Sequence, residues 1–281
     1  MRNVKFLISE ARENTNTVDN ESIPNSLCVA LLNRSLNYLI SELYKRNNNI
    51  RMFPKEVLLP STTGTREYTL PWDVYTTNGI INVRFESNGY NSFLDQLSDK
   101  NRTNRAGYVI IGNKIIINPI PVTYGNFYVK YNAKTPLFAL VAGTINAVSA
   151  NTSITASDIS ATFDDTTEWM CVVDKFGNII KDRIEVIQTG TTFSVSDTDG
   201  ITTGMFIVSG YYATTHCPLA DELEPILINM LEVLINARLS STDLPISDAI
   251  SSAQMDSLVE TFSSNVSDPI VPPILEFREW V

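Results

Sequence analysis

Apolar residues recur at helical spacing at the start of the chain, alternate at strand spacing through its middle, and return to helical spacing near its end. Val4, Leu7, Ile8 and Ala11 share one face of a helix predicted over residues 3–13. A polar loop from Asn14 to Glu21 follows. A long helix is predicted over residues 23–46, where Cys28, Leu32, Leu36, Leu39, Ile40 and Leu43 make one stripe. Pro24 suits its first turn, Lys45 and Arg46 complement the dipole in its last, and Asn47-Asn48-Asn49 ends it. At the usual helical rise it is roughly 35 Å long.

From residue 55 the period becomes two. Val57 and Leu59 alternate with polar neighbours, Ser61-Thr62-Thr63-Gly64 reads as a turn, and Tyr68 and Leu70 lie on the expected return strand. Ile80, Ile81, Val83 and Phe85 mark another strand, closed by Asn88-Gly89. Residues 92–99 read as one or two helical turns. Strands at 108–111 and 114–118 flank Gly112-Asn113, a two-residue hairpin signal, and Phe127, Val129 and Tyr131 alternate in the next strand. Residues 140–210 are rich in Thr, Ser, Ala and Asp and poor in Lys and Arg. Short strands are expected at 144–148, 169–173, 184–187, 192–195 and 205–208. Turns such as Asp174-Lys175-Phe176-Gly177-Asn178 and Asp197-Thr198-Asp199-Gly200 separate them. This stretch reads as a small inserted β-domain or as an extension of the first sheet.

Helix returns over 221–238, where Leu223, Ile226, Leu227, Met230, Leu231, Leu234 and Ile235 share a broad face, and a weaker helix over 247–262 follows Pro245. Pro269, Pro272 and Pro273 prevent a continuous helix over 267–281. That stretch nevertheless carries Ile270, Val271, Ile274, Leu275, Phe277 and Trp280. An extended apolar terminus needs a surface to bury it, so these six residues form a candidate partner-binding arm. The order of elements indicates an α+β fold. It comprises N-terminal helices (1–54), an antiparallel β-domain (55–139), an inserted β-subdomain (140–212), C-terminal helices completing a helical bundle (213–264) and an extended C-terminal arm (265–281).

Composition narrows the function. The 281 residues suffice for one large domain or two small ones, and a 43% hydrophobic fraction builds an ordinary core. No run of about 18 apolar residues is present to span a membrane. Ser9, Glu10 and Arg12 interrupt any signal-peptide apolar stretch, so folding in a cytoplasm is expected. Cys28, Cys171 and Cys217 are odd in number and widely spaced, which reads as reduced, packed thiols. A net charge of −10 argues against tight wrapping of nucleic acid, whereas a tunnel through which DNA slides should repel phosphate.

Candidate chemistry is sparse. The single histidine, His216, stands beside Cys217, but no CxxC or HxxxH spacing supports a metal site. No Gly-x-Ser-x-Gly elbow or phosphate-binding Gly-rich loop occurs. Asp197-x-Asp199-Gly200 lacks the later ligands of a calcium loop. Asp158, Asp164, Asp165 and Glu168 cluster in sequence; paired carboxylates hydrolyse sugars, but a solvated loop is the plainer reading. Lys100, Arg102 and Arg105 form a basic cluster, a candidate contact for DNA or an acidic partner, again against a solvated loop. No catalytic residue, metal or cofactor is expected.

Four segments resemble the head-to-tail adaptor, or tail-tubular, ring proteins of short-tailed bacteriophages. They are the long helix with Leu36-Asn37-Tyr38-Leu39-Ile40; Thr63-Gly64-Thr65-Arg66-Glu67-Tyr68-Thr69-Leu70-Pro71-Trp72-Asp73, similar to the family's G-x-x-E-Y-x-L-P-x-D entry into its β-domain; the hairpin running from Tyr108 to Asn118, followed by Pro119-Ile120-Pro121 and a strand at 126–131; and Pro218-Leu219-Ala220-Asp221-Glu222-Leu223 opening an apolar helix. The stretch 140–210 departs from the simplest family pattern. The resemblance implies a structural virion protein of the neck, assembled in the host cytoplasm. It implies a homo-oligomeric ring of twelve subunits below the portal protein, contacting a tail tube, nozzle or fibre-anchoring protein, with DNA passing through and no membrane. Two other readings stand beside it. The Thr/Ser-rich insert favours a tail-fibre-anchoring or receptor-binding module, and the acidic cluster alone favours a glycan hydrolase.

Overall fold

A computed structural model describes residues 2–47, 52–75, 79–87, 90–98, 107–118, 125–149, 152–160, 168–219, 221–241 and 250–264. They form a mixed α+β fold of four α-helices and mostly antiparallel sheets. The chain divides into two compact units, Met1–Glu42 with Pro136–Met255, and Leu43–Thr135 with Asp256–Val281. No helix among the described residues is long and apolar enough to cross a membrane.

Helix α1 (Val4–Asn14) is capped by Asn3, whose side chain accepts from the Lys5 amide at 2.8 Å, and it buries Val4, Leu7, Ile8 and Ala11. Arg12 organises the polar loop that follows, donating to the Thr17 carbonyl at 2.8 Å and to Asn25 Oδ1 at 2.7 Å. Helix α2 (Asn25–Arg46) buries its stripe Cys28, Leu32, Leu36, Leu39, Ile40 and Leu43.

The second unit holds two sheets. Strands β1 (Pro54–Pro60), β2 (Glu67–Thr69), β3 (Ile80–Ser87), β4 (Tyr90–Leu94), β5 (Gly107–Ile111), β6 (Lys114–Asn118) and β7 (Asn126–Asn132) pair in the orders β1-β7-β3-β4 and β2-β6-β5. The predicted hairpin at Gly112-Asn113 joins β5 to β6. Two expectations need correcting. The turn at Ser61–Gly64 does not fold the chain back on itself: β1 pairs with β7 and β2 with β6. Val57 and Leu59 pack with Phe127 and Val129 while Tyr68 reaches the same core from the other sheet, so the linker crosses between layers. Residues 92–99 include strand β4 instead of a helix, because Leu94 alternates inward while Phe93 pairs with Arg84 on the opposite face.

The first unit holds β8 (Leu137–Phe138), β9 (Val141–Ser149), β10 (Ser153–Ser157), β11 (Trp169–Val173), β12 (Ile179–Glu185), β13 (Ile187–Thr189), β14 (Thr192–Ser194), β15 (Phe206–Ser209) and β16 (Ala213–Thr214). Seven of these make a sheet of their own in the order β12-β11-β15-β9-β10-β14-β13, not an extension of the first sheet. Its two ends, β12 and β13, are joined through Val186 alone, so the sheet closes on itself. Ile145, Ile154, Met170, Val172, Phe193 and Ile207 fill the interior. The Met170-Cys171-Val172-Val173 run is apolar throughout because β11 is buried on both faces. Cys171 and Val173 pack outward with Ala139, Val208 and Ala213.

Strands β8 and β16 pair in parallel, and Asn33 of α2 brackets β8 by accepting from the Phe138 amide at 2.7 Å and donating to its carbonyl at 2.9 Å. Helix α3 (Glu224–Ser240) follows a short 3-10 turn (Asp221–Leu223) and is apolar on most sides, burying Leu227, Ile228, Met230, Leu231, Leu234 and Ile235. Helix α4 (Ser252–Ser264) lies in the region of the weaker predicted helix.

Candidate functional site

The partner-binding arm residues Ile270, Val271, Ile274, Leu275, Phe277 and Trp280 lie outside the described residues, as do Lys100, Arg102 and Arg105 and two of the clustered carboxylates, Asp164 and Asp165.

His216, Asp174 and Asp197 lie among the described residues. His216 sits where the start of the chain meets the entry to α3. Asn3 bridges to it, the Val4 amide donates to the Thr215 carbonyl at 2.8 Å, and the Cys217 amide donates to the Arg2 carbonyl at 2.9 Å. His216 Nδ1 lies 3.0 Å from Thr215 Oγ1. Burial pushes its pKa below the ordinary imidazole value, against the pull of Asp174. The 174–178 turn presses its backbone onto this ring: a Cβ at Gly177, whose φ is +84°, would stand 2.6 Å from His216. Asp174 builds the turn by accepting from the Phe176 and Asn178 amides at 2.8 and 2.9 Å. Burial opposes ionisation of this carboxyl, but those bonds and one from the Asn178 side chain outweigh it and lower its pKa. Asp197 likewise shapes a turn, accepting from the Asp199 amide at 2.8 Å and pairing with Lys181. Among the described residues no group of three or more His, Cys, Asp or Glu side chains is placed to hold a metal.

Two buried carboxylates act as fasteners. Glu224, in the first turn of α3 where the helix dipole favours an anion, receives the Arg2 amide at 3.0 Å and the Arg2 guanidinium at 3.0 Å. Asp73 receives Lys55 Nζ at 2.7 Å and the Tyr131 hydroxyl at 2.9 Å, while its carbonyl accepts from the Lys134 amide at 2.6 Å. The Leu-Pro-Trp-Asp stretch thus ends in a clasp that ties the strand ends of the second unit, with Leu70 in the core beside it.

A shallow cleft of about 290 Å³ lies along α1 and α3, with Pro225, Ile226 and Ile228 in its lining and Glu10, Asn14 and Glu232 among its polar groups. It falls at the small end of ligand pockets, and Asn14 already donates to Glu232 across it at 2.6 Å.

Large apolar side chains also stand exposed in each unit. Phe6 on α1 is 69% exposed and Phe176 at the tip of the hydrogen-bonded turn is 62% exposed. On the four-stranded sheet the register aligns Leu58 with Tyr128, Tyr128 with Arg84, and Arg84 with Phe93, one residue from each strand. The neighbouring row, Val57, Val129, Val83 and Leu94, faces the core, so the first row faces outward. The Arg84 guanidinium lies 4.3 Å from the Tyr128 ring centroid and donates to Asn91 at 3.3 Å. Leu58 and Phe93, at the two ends, are 46% and 50% exposed. Sequence reasoning missed this row. Alternation in β3 and β7 marks Arg84 and Tyr128 as outward, but the partners of Leu58 and Phe93 come from non-local pairings.

No protein-family model and no curated protein matches the chain.

Proposed function

We propose that this chain is a non-enzymatic structural subunit that works by assembling with partners, and specifically that it forms the head-to-tail adaptor ring below the portal of a short-tailed bacteriophage. The observation that supports assembly is the set of large apolar side chains standing out of ordered elements, Phe6 and Phe176 foremost. An aromatic fixed on a helix or a hydrogen-bonded turn loses little entropy on docking, and such residues are the usual anchors of protein interfaces. The adaptor reading rests further on the resemblance in the four segments, of which Leu70-Pro71-Trp72-Asp73 serves as a structural clasp and Gly112-Asn113 as a hairpin turn.

In this reading copies close head to tail into a ring. The portal lies on one side, a tail component on the other, and DNA slides through a channel of an acidic protein. The arm bearing Phe277 and Trp280 docks on a neighbour or on the portal. The test is the mass of the purified chain, alone and mixed with its portal, with images of any particle. A twelve-fold ring, alone or formed on the portal, is the expected result. A stable trimer that binds glycans through residues 140–210 replaces the reading with a receptor-binding module, and an inert monomer removes it.

A further inference from the structure

Phe6 and Phe176 are the most exposed large apolar side chains among the described residues, and both belong to the first unit. Phe6 stands one and two turns from Glu10 and Asn14 on α1, so the three share a stripe that leads into the cleft along α1 and α3. Pro225, Ile226 and Ile228 give this cleft apolar walls, Glu10 and Glu232 give it carboxylates, and among the described residues no lysine or arginine lines it. Arg2 reaches Glu10 but also Glu224, so one cation is divided between two anions. Asn14 brings no charge to Glu232, and Glu13, one turn from Glu10, adds an exposed carboxylate on the same side of α1. The cleft is therefore apolar and anionic. At about 290 Å³ it is small for a drug-sized molecule and suits one or two side chains.

The 174–178 turn offers the opposite chemistry. Asp174 spends its carboxylate inside the turn, on the Phe176 and Asn178 amides and the Asn178 side chain. Lys175 is exposed beside the ring, its Nζ 4.8 Å from the Phe176 centroid. The tip is thus an aromatic ring with an ammonium group, held in place before any docking, which lowers the entropy lost on binding. In the subunit itself Phe176 is not part of the cleft lining.

We propose that the 174–178 turn of one copy docks in the α1–α3 cleft of a second copy, with Phe176 against Ile226, Ile228 and Phe6 and with Lys175 facing Glu232 and Glu10. The match of an ammonium-bearing aromatic tip to an anionic apolar cleft selects a second copy as the occupant, because this chain carries both halves. The two most exposed aromatics then meet in one contact, as an aromatic pair at its centre. Both halves lie on the same compact unit, so the geometry of the contact does not depend on how the two units are set. Joining two different surfaces makes the contact heterologous, the kind that closes a ring. The inference rests on reading the chain as a subunit that assembles with its own copies.

The experiment follows the mass of the full chain over a concentration series, alone and with its portal, with circular dichroism to show that each variant is folded. Lys175→Glu sets an anion against the cleft and should weaken association between copies at least about tenfold. Glu232→Lys should do the same. The double variant restores opposite charges with their signs exchanged and should return to within about threefold of the unchanged chain. Because Glu232→Lys also removes the acceptor of Asn14, Phe176→Ser on the exposed turn is a second probe of the same contact and should weaken association as Lys175→Glu does. Single variants that associate like the unchanged chain, or a double variant no better than the singles, overturn the proposal. So does a chain that stays monomeric both alone and with portal, or an effect confined to portal binding, which would assign the turn or the cleft to that partner. A twofold dimer that obeys the charge exchange retains this inference and removes the adaptor reading; a twelve-fold ring indifferent to it does the reverse.

Discussion

The closed sheet of the first unit and the four-stranded sheet of the second are both antiparallel and both follow period two, yet they leave different things at the surface. In the closed sheet, β12 passes into β13 through Val186, so one continuous stretch of chain supplies both ends of the ladder. The outward positions of β11 and β15, Cys171, Val173 and Val208, are covered by Ala139 and Ala213. In the four-stranded sheet β1 and β4 end the ladder, and the outward row Leu58–Tyr128–Arg84–Phe93 meets solvent. Strand propensity does not separate the two. What separates them is whether the chain itself supplies a cover for the outward positions, and where it does not, the uncovered side chains are of the kind that partners bury.

The sharpest way to break the comparison is Phe193→Ala. Phe193 is fully buried inside the closed sheet, and truncating such a residue costs about 3–5 kcal/mol. Urea titration should show that loss together with faster alkylation of Cys171; a loss under about 1 kcal/mol would mean that the interior tolerates a cavity and that closure matters less than argued. Next is Asp73→Ala in the other unit, which removes the acceptor shared by the Tyr131 hydroxyl and the Lys55 ammonium. Lys55 is nearly half exposed, so the expected loss is about 2–3 kcal/mol, below that of a fully buried pair. It should appear in tyrosine fluorescence while alkylation of Cys171 stays slow.

Alkaline pH should act on the first unit in a defined window. Burial raises the Cys171 and Cys217 thiols to about 11 from an ordinary value of 9.0. The folded chain therefore holds these protons more tightly than the unfolded chain. Stability is complete below pH 9 and declines as pH rises toward 11, by on the order of 2 kcal/mol per thiol. Cys171→Ala should flatten that decline in a urea series. The smallest effect belongs to the outward row: Leu58→Ser or Phe93→Ser should change stability by less than about 0.5 kcal/mol. A larger loss would show the row to be core and erase the contrast between the sheets.

Much of this fold was legible along the chain. The stripe from Cys28 to Leu43, the Gly112-Asn113 turn and the apolar face of α3 are local patterns, and local patterns survive folding when they agree with burial. What escaped was set by distant pairings. Strand β10 reads Ser-Ile-Thr-Ala-Ser, too small and polar to signal a strand, although Ile154 and Ala156 are buried once β9 and β14 flank it. The Ser61–Gly64 turn looked like a hairpin because a turn signal does not say which sheet receives the next strand. The clasp at Asp73 was visible as a motif, but not as a buried carboxylate, since Lys55 and Tyr131 meet it only in three dimensions. The exposed row was illegible for the same reason: each of its four members comes from a different strand.

Residues 2–4 pair with 215–217, and Arg2 closes on Glu224. This pairing orders events during synthesis. Helix α1 is made long before its partners, residues 215–217 and α3. At about 5–20 residues per second the gap lasts roughly 10–40 s. Throughout it Val4, Leu7, Ile8 and Ala11 have no finished groove to enter. Strands β1 to β7, complete by residue 132, have all their ladder partners well before then. The two sheets of the second unit are thus made before the groove of α1, and the first unit is left open until residues 2–4 meet 215–217, which makes the nascent helix α1 the natural client of a holding chaperone.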